Sequence, residues 1–96
     1  MFIISLTYKK PIEEVEKYIT DHIAFLDKYY TEKKFIFSGR KNPRTGGVIL
    51  SYHVTKLELE EILKEDPFFV NDVAKYEIIE FEATKYLDEF KQILNL

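Results

Sequence analysis

The chain has 96 residues, enough for one hydrophobic core but too few for separate catalytic and regulatory domains. We therefore expect a single domain over residues 1–96. Hydrophobic residues make up 46% and charged residues 32%, which is typical of globular proteins. The absence of cysteine excludes disulfides, thiolate nucleophiles and cysteine-based metal sites. A net charge of -3 disfavours nucleic acid as a partner.

The N-terminal segment resembles neither a signal peptide nor a membrane span. Its apolar run ends within a few residues and leads into Lys9, Lys10 and Pro11. We expect a cytoplasmic protein that does not bind a membrane.

Six main elements, a brief helical turn and a C-terminal helix are predicted, and we take them in chain order. β-branched and aromatic residues predict a first strand, and apolar residues at three- and four-residue steps predict a long amphipathic helix after it. Two strands separated by a glycine-containing segment follow, then a shorter helix that stops at Asp66-Pro67 before a brief helical turn, a last strand and a final helix. The predicted ranges are 2–8, 12–32, 35–38, 47–54, 56–64, 68–74, 76–83 and 85–94.

This order is β-α-β-β-α-β with a C-terminal helix, which predicts an α+β, ferredoxin-like fold with both helices on one face of an antiparallel sheet. The strands carry apolar residues at consecutive positions, so both sheet faces need cover. A second copy of the chain would supply that cover, and we expect a homodimer that packs sheet on sheet.

His22 lies on the apolar stripe of the first helix, so its ring should point toward the sheet. A half-buried structural histidine and a catalytic one both fit this position. Asp66 precedes Pro67, and helix capping alone would explain it. A carboxylate near His22 would also orient the imidazole as a general base requires.

The segment from Ser38 to Gly47 holds both arginines of the chain, Arg40 and Arg44, together with hydroxyls and glycines. It fits an anion- or carbonyl-binding loop, and equally a solvated hairpin connection. No glycine-rich phosphate motif is present, and we predict no cofactor. His53 lacks a partner at metal-ligand spacing, so we predict no metal site and interpret His53 as structural.

Several short motifs together resemble the YciI-related family along nearly the whole chain. They are Met1–Tyr8, His22 with Phe25-Leu26, Ser38-Gly39, Asn42–Gly47 and Asp66-Pro67-Phe68. The chain departs from the family pattern at Arg40, where proline often follows Ser-Gly, and at Asp72, where glycine is common. The resemblance implies a dimeric α+β barrel and an active site built around a His22–Asp66 dyad, with Ser38 in the same cleft. Characterised relatives perform acid-base eliminations on small molecules.

Three hypotheses of function can be weighed from the sequence. The first is a small-molecule lyase or hydrolase in which His22 is the base and Asp66 orients it. Ser38, Arg40 or Arg44 would hold an anionic or phenolic substrate. The second is a non-catalytic ligand-binding module with Phe25 and Phe68 as apolar walls. The third, RNA binding, shares the element order but lacks the basic-aromatic signature. The predicted substrate-binding residues are Ser38, Gly39, Arg40, Arg44, Gly46, Gly47, Phe25 and Phe68.

Overall fold

The computed structural model describes residues 1–94. Four strands form one antiparallel sheet in the order β2-β3-β1-β4, and the α+β prediction is confirmed. The strands are β1 (Phe2–Tyr8), β2 (Phe35–Arg40), β3 (Gly46–Ser51) and β4 (Ala74–Glu80). The helices are α1 (Ile12–Glu16), α2 (Ile19–Thr31), α3 (Lys56–Leu63), α4 (Pro67–Val70) and α5 (Lys91–Leu94), with a 3₁₀ turn at Asp88–Phe90.

The core lies between the helices and one face of the sheet. Phe2, Ile4 and Leu6 alternate along β1 as its buried side chains, as period-2 geometry requires. The helices contribute the other half of this core, notably Val15, Phe25, Tyr29, Leu59 and Leu63. We call the sheet face that carries this core the helix face, and the opposite one the open face.

The open face carries a row of apolar side chains that crosses all four strands. Ile3 on β1 pairs with Leu50 on β3 and with Ile79 on β4, and Leu50 pairs in turn with Phe37 on β2. Phe37 is 51% exposed and Ile79 is 54% exposed. The ring of Phe90, from the C-terminal segment, packs edge-on against Phe37. Ile3 and Leu50, at the centre of the row, are half-buried, whereas Phe37 and Ile79 on the outer strands remain about half-exposed.

Two predicted helices were wrong in extent. The helix predicted over 12–32 is interrupted at Lys17-Tyr18, where Tyr18 has φ −112° and the chain tightens through a bond from Tyr18 N–H to Val15 O. No glycine or proline marks the break, and both pieces keep helical spacing. The helix predicted over 85–94 is a 3₁₀ turn and one helical turn, because Leu87 and Ile93 remain exposed and such short helices need a packed face.

Smaller corrections concern strand and turn boundaries. β2 continues to Arg40, β3 ends at Ser51, and β4 runs from Ala74 to Glu80 rather than over 76–83. The predicted turn after Asp66-Pro67 is the short helix α4, which ends at Val70. No helix within residues 1–94 combines the length and apolar character needed to cross a membrane.

Candidate active site

His22 and Asp66 meet inside the helix face. The Nδ1–H of His22 donates to Oδ1 of Asp66 at 2.7 Å, and Asp66 is fully buried. A carboxylate oxygen can only accept, so Nδ1 carries the proton and the lone pair of the neutral ring lies on Nε2. Nε2 has no hydrogen-bond partner within residues 1–94 and keeps access to solvent. This is the arrangement that a general base requires.

The local sequence explains why Asp66 is fixed. Asp66 is the N-cap of α4, where its Oδ1 also accepts the backbone N–H of Phe68 at 3.0 Å, and Pro67 occupies the first helical position. Oδ2 accepts the hydroxyl of Tyr76, on β4, at 2.5 Å. Capping and contact with His22 are thus combined in one side chain, and three donors satisfy the buried carboxylate.

Phe68 sets the plane of the imidazole. Its ring stacks on His22 with a centroid separation of 4.0 Å and an interplanar angle of 7°. Tyr8 meets Phe68 edge-on from the end of β1. The stack and the Asp66 hydrogen bond together leave the imidazole little freedom to turn, because one fixes its plane and the other its rotation within that plane.

A cavity of about 150 Å³ opens beside the ring, between α2 and the ends of β1, β2 and β3. Most predicted site residues line it, namely His22, Ser38, Gly39, Arg40, Gly46, Gly47 and Phe68. Apolar side chains from β1, β3 and α2 complete the wall, including Leu6, Ile19, Leu26 and Ile49. The cavity is therefore apolar along its sides, with polar groups at the imidazole and at β2.

Two predicted site residues, Phe25 and Arg44, do not line the cavity. Phe25 is a core residue, 6% exposed, whose ring packs edge-on against Tyr29 and Phe35. Arg44 points to α1, where it donates to Glu16 at 3.2 Å. Its buried Nε has no partner among residues 1–94. Neither side chain lines the cavity, which leaves Arg40 as the arginine at the site.

The sequence interpretation missed two tyrosines. The hydroxyl of Tyr76 binds Asp66, and that of Tyr30, on α2, donates to the Ser38 hydroxyl at 2.6 Å. Tyr76 alternates with Ala74 and Ile78 on the helix face, and a buried tyrosine hydroxyl usually finds a partner. That pattern could have indicated a buried acceptor near β4. Nothing in the local sequence connects Tyr30 with Ser38.

The glycines at the cavity mouth differ in their packing. A Cβ built on Gly46 would lie 1.7 Å from the backbone oxygen of Leu6, so only glycine lets β3 approach β1 here. A Cβ on Gly47 would lie 3.0 Å from the oxygen of Gly39, whereas one on Gly39 meets nothing within 4 Å. Gly46 is thus fixed by the fold, and Gly39 is open to change.

Comparison with known proteins decides the family. A family sequence model, that of the YCII-related domain, matches residues 1–82. The chain belongs to the YCII-related domain family. The match ends two residues beyond β4, so the C-terminal segment that carries Phe90 lies outside it. No curated protein matches the sequence.

A solved structure is similar in fold to this chain. It is that of 5-chloro-2-hydroxyhydroquinone dehydrochlorinase (TftG) from Burkholderia phenoliruptrix AC1100, in complex with 2,5-dihydroxybenzoquinone. The TM-score is 0.70 at 14% identity, and the alignment covers 85% of this chain and 94% of TftG. At this identity the likeness establishes a shared fold.

Proposed function

We propose that this YCII-domain protein is a small-molecule enzyme that performs acid-base elimination or hydrolysis with His22 as its general base. The observation that carries the proposal is the 2.7 Å contact between Nδ1 of His22 and the buried Asp66, which leaves Nε2 beside the cavity. Asp66 would hold the ring in the reactive tautomer and stabilise the imidazolium formed by proton transfer.

The cavity favours a substrate of about one six-membered ring. Its volume of about 150 Å³ matches that of an apolar protein cavity known to accept benzene. Ser38 and Arg40 at the β2 side would bind a hydroxyl, phenolate or other anionic group on that ring. The shared fold with TftG, a dehydrochlorinase of a ring compound, supports this class without assigning its substrate to this chain.

In an elimination, Nε2 would accept a proton from the substrate, and the leaving group would depart with its bonding electron pair. The electrons of the broken bond to hydrogen remain on the substrate and form the new double bond. Arg40 and the Ser38 hydroxyl would stabilise negative charge that develops on a ring oxygen. The imidazolium then returns its proton to solvent, so the net products are the unsaturated ring, the leaving-group anion and a proton in solvent.

The test is a screen of halogenated and hydroxylated single-ring compounds, read by halide release and ultraviolet absorbance. We expect turnover by the wild type and a loss of about 100-fold or more in His22→Ala. His53→Ala is the matched control, because His53 lies in a loop at the other end of the sheet. Its activity should equal that of the wild type, and circular dichroism should show that both variants fold.

The non-catalytic ligand-binding module gives a different result in the same screen. Its supporting observation is the apolar character of most of the cavity wall. Calorimetric binding of a ring compound that is never converted, with affinity unchanged in His22→Ala, would contradict the enzyme and favour the module.

We also propose that a second copy of the chain covers the open face. The apolar row Phe37–Leu50–Ile3–Ile79 spans the sheet, and Val48 beside it is 38% exposed. An exposed apolar strip of this extent is typical of an interface, and a two-fold contact would pair the same strip on both copies. The dimeric α+β barrel expected from the sequence would follow from this contact.

A further inference from the structure

Tyr76 reaches the site from β4, the strand at one edge of the sheet. Its hydroxyl is the partner of Oδ2 of Asp66, whereas Oδ1 is shared by His22 and the backbone N–H of Phe68. Within residues 1–94, Oδ2 has no other donor. A buried carboxylate oxygen without a donor is strongly unfavourable, so the hydroxyl holds Oδ2 in place and, together with the donors to Oδ1, orients the carboxylate.

We propose that Tyr76 is a positioning residue for the His22 base, which holds Asp66 so that Oδ1 faces Nδ1 and the Nε2 lone pair stays available to the cavity. This inference rests on the proposed function. Without the hydroxyl, Oδ2 loses its donor, the carboxylate rotates about its remaining bond to the Phe68 N–H toward other donors or water, and its hold on Nδ1–H weakens. The tautomer with the proton on Nε2 then gains population, and that form cannot accept a proton at Nε2, the nitrogen beside the cavity.

Two features of Tyr76 suit it to this role. Burial, followed by the negative charge of Asp66, raises the pKa of Tyr76 far above its ordinary value, so the hydroxyl stays a donor wherever the imidazole can act as a base. Its ring is held independently by an edge-on contact with Phe69, with a centroid separation of 5.8 Å. Tyr76→Phe would therefore remove the hydroxyl and keep the packing.

The test uses the folded protein and needs no substrate. The tautomer of His22 is read from the ¹⁵N chemical shifts of its ring nitrogens in mildly alkaline buffer. The reactivity of Nε2 is read from the rate of acylation by diethyl pyrocarbonate, with exposed His53 as the reference within the same molecule. In Tyr76→Phe we expect a mixture of tautomers and a rate for His22, relative to His53, that is about fivefold lower, as the loss of one net hydrogen bond implies.

Tyr30→Phe is the matched control, because it removes a hydroxyl that binds Ser38 and leaves Asp66 untouched. It should leave both the tautomer and the rate unchanged. If folded Tyr76→Phe behaves like the wild type, Tyr76 has no positioning role. If the wild type itself lacks the Nδ1–H tautomer, the proposed function fails instead, so the two failures are distinguishable.

A second measurement does not depend on the folding of Tyr76→Phe. In the wild type, the hydroxyl proton of Tyr76 should exchange slowly with water because it is bound to a buried carboxylate. Its exchange should accelerate in Asp66→Asn. Rapid exchange already in the wild type would overturn the positioning role, since it would mean that the hydroxyl is not held by Asp66.

Discussion

Gly46 and Gly39 offer a matched pair of residues at the cavity mouth. Gly46→Ala should lower the free energy of unfolding by about 3 kcal/mol or more, because the new Cβ would overlap the backbone of Leu6 and separate β3 from β1. Gly39→Ala should change it by less than about 0.5 kcal/mol, since nothing lies within 4 Å of its Cβ. Urea denaturation measures both. Similar values for the two variants would contradict the packing at Gly46.

Lys33 lies two residues beyond the end of α2, in a left-handed conformation with φ 59°. Its N–H donates to Tyr30 O and that of Lys34 donates to Tyr29 O, which is the Schellman pattern that favours glycine at this position. Lys33→Gly should raise the free energy of unfolding by about 0.5–1 kcal/mol, measured by urea denaturation. Lys33→Ala should give no gain, because alanine keeps the unfavourable φ. An equal gain in both variants would point to the lysine side chain instead.

A left-handed conformation also explains one departure from the family pattern. Asp72, where the resemblance led us to expect glycine, has φ 54°, a conformation that glycine adopts at no steric cost and aspartate tolerates better than most residues. Lys9 donates to its carboxylate. The structure gives no comparable explanation for Arg40 beyond its place in the cavity wall.

At the scale of elements, Glu65 joins α2 to the segment that carries Asp66. Its carboxylate accepts from Lys28 at 2.8 Å and from Tyr29 at 2.5 Å, both on α2. The hydrogen bond from Lys28, and then that from Tyr29, lowers the pKa of Glu65 below its ordinary value. A depressed carboxyl pKa stabilises the fold above the unfolded pKa, and this contribution is lost as the pH falls through the folded pKa.

Glu65→Gln should therefore be less stable than the wild type at neutral pH, by less than about 1 kcal/mol because the pair is half-exposed. The difference should shrink as the pH falls from the ordinary glutamate pKa through the lower pKa of Glu65 in the folded protein, where the wild-type carboxylate becomes protonated. Urea midpoints of both proteins across this pH range measure it. A difference that stayed constant into strong acid would show that the carboxylate charge is not its source.

The elements that could be predicted from the sequence are those in which apolar residues repeat at the period of a strand or of a helix. β1 was predicted with its observed bounds, and the order of strands and helices was confirmed, because alternation and three-to-four spacing report buried faces directly. The break at Lys17-Tyr18 and the non-helical start of the C-terminal segment have no such signal. They depend on which neighbours each residue meets, as do the contacts of Tyr76, Phe25 and Arg44.

At the scale of the whole molecule, the apolar row on the open face predicts how a substitution there changes the oligomeric state. Ile79→Asp places a charge in the apolar row, so we expect it to convert a dimer into a monomer, measured by light scattering after size-exclusion chromatography. Leu57→Asp is the control, because Leu57 is 76% exposed on α3 and should leave the mass unchanged. A wild type that is monomeric at high concentration would contradict the proposed dimer.

The two ends of the described chain lie at the same end of the sheet. Met1 exchanges backbone hydrogen bonds with Phe81, and Met1 and Leu94 line one shallow groove. The cavity opens at the other end of β1, beside Leu6 and Tyr8. A peptide linker between residues 1 and 94 would thus be short, which makes the fold a candidate for circular permutation. A label or solid support attached at either end would leave the cavity facing away from the surface.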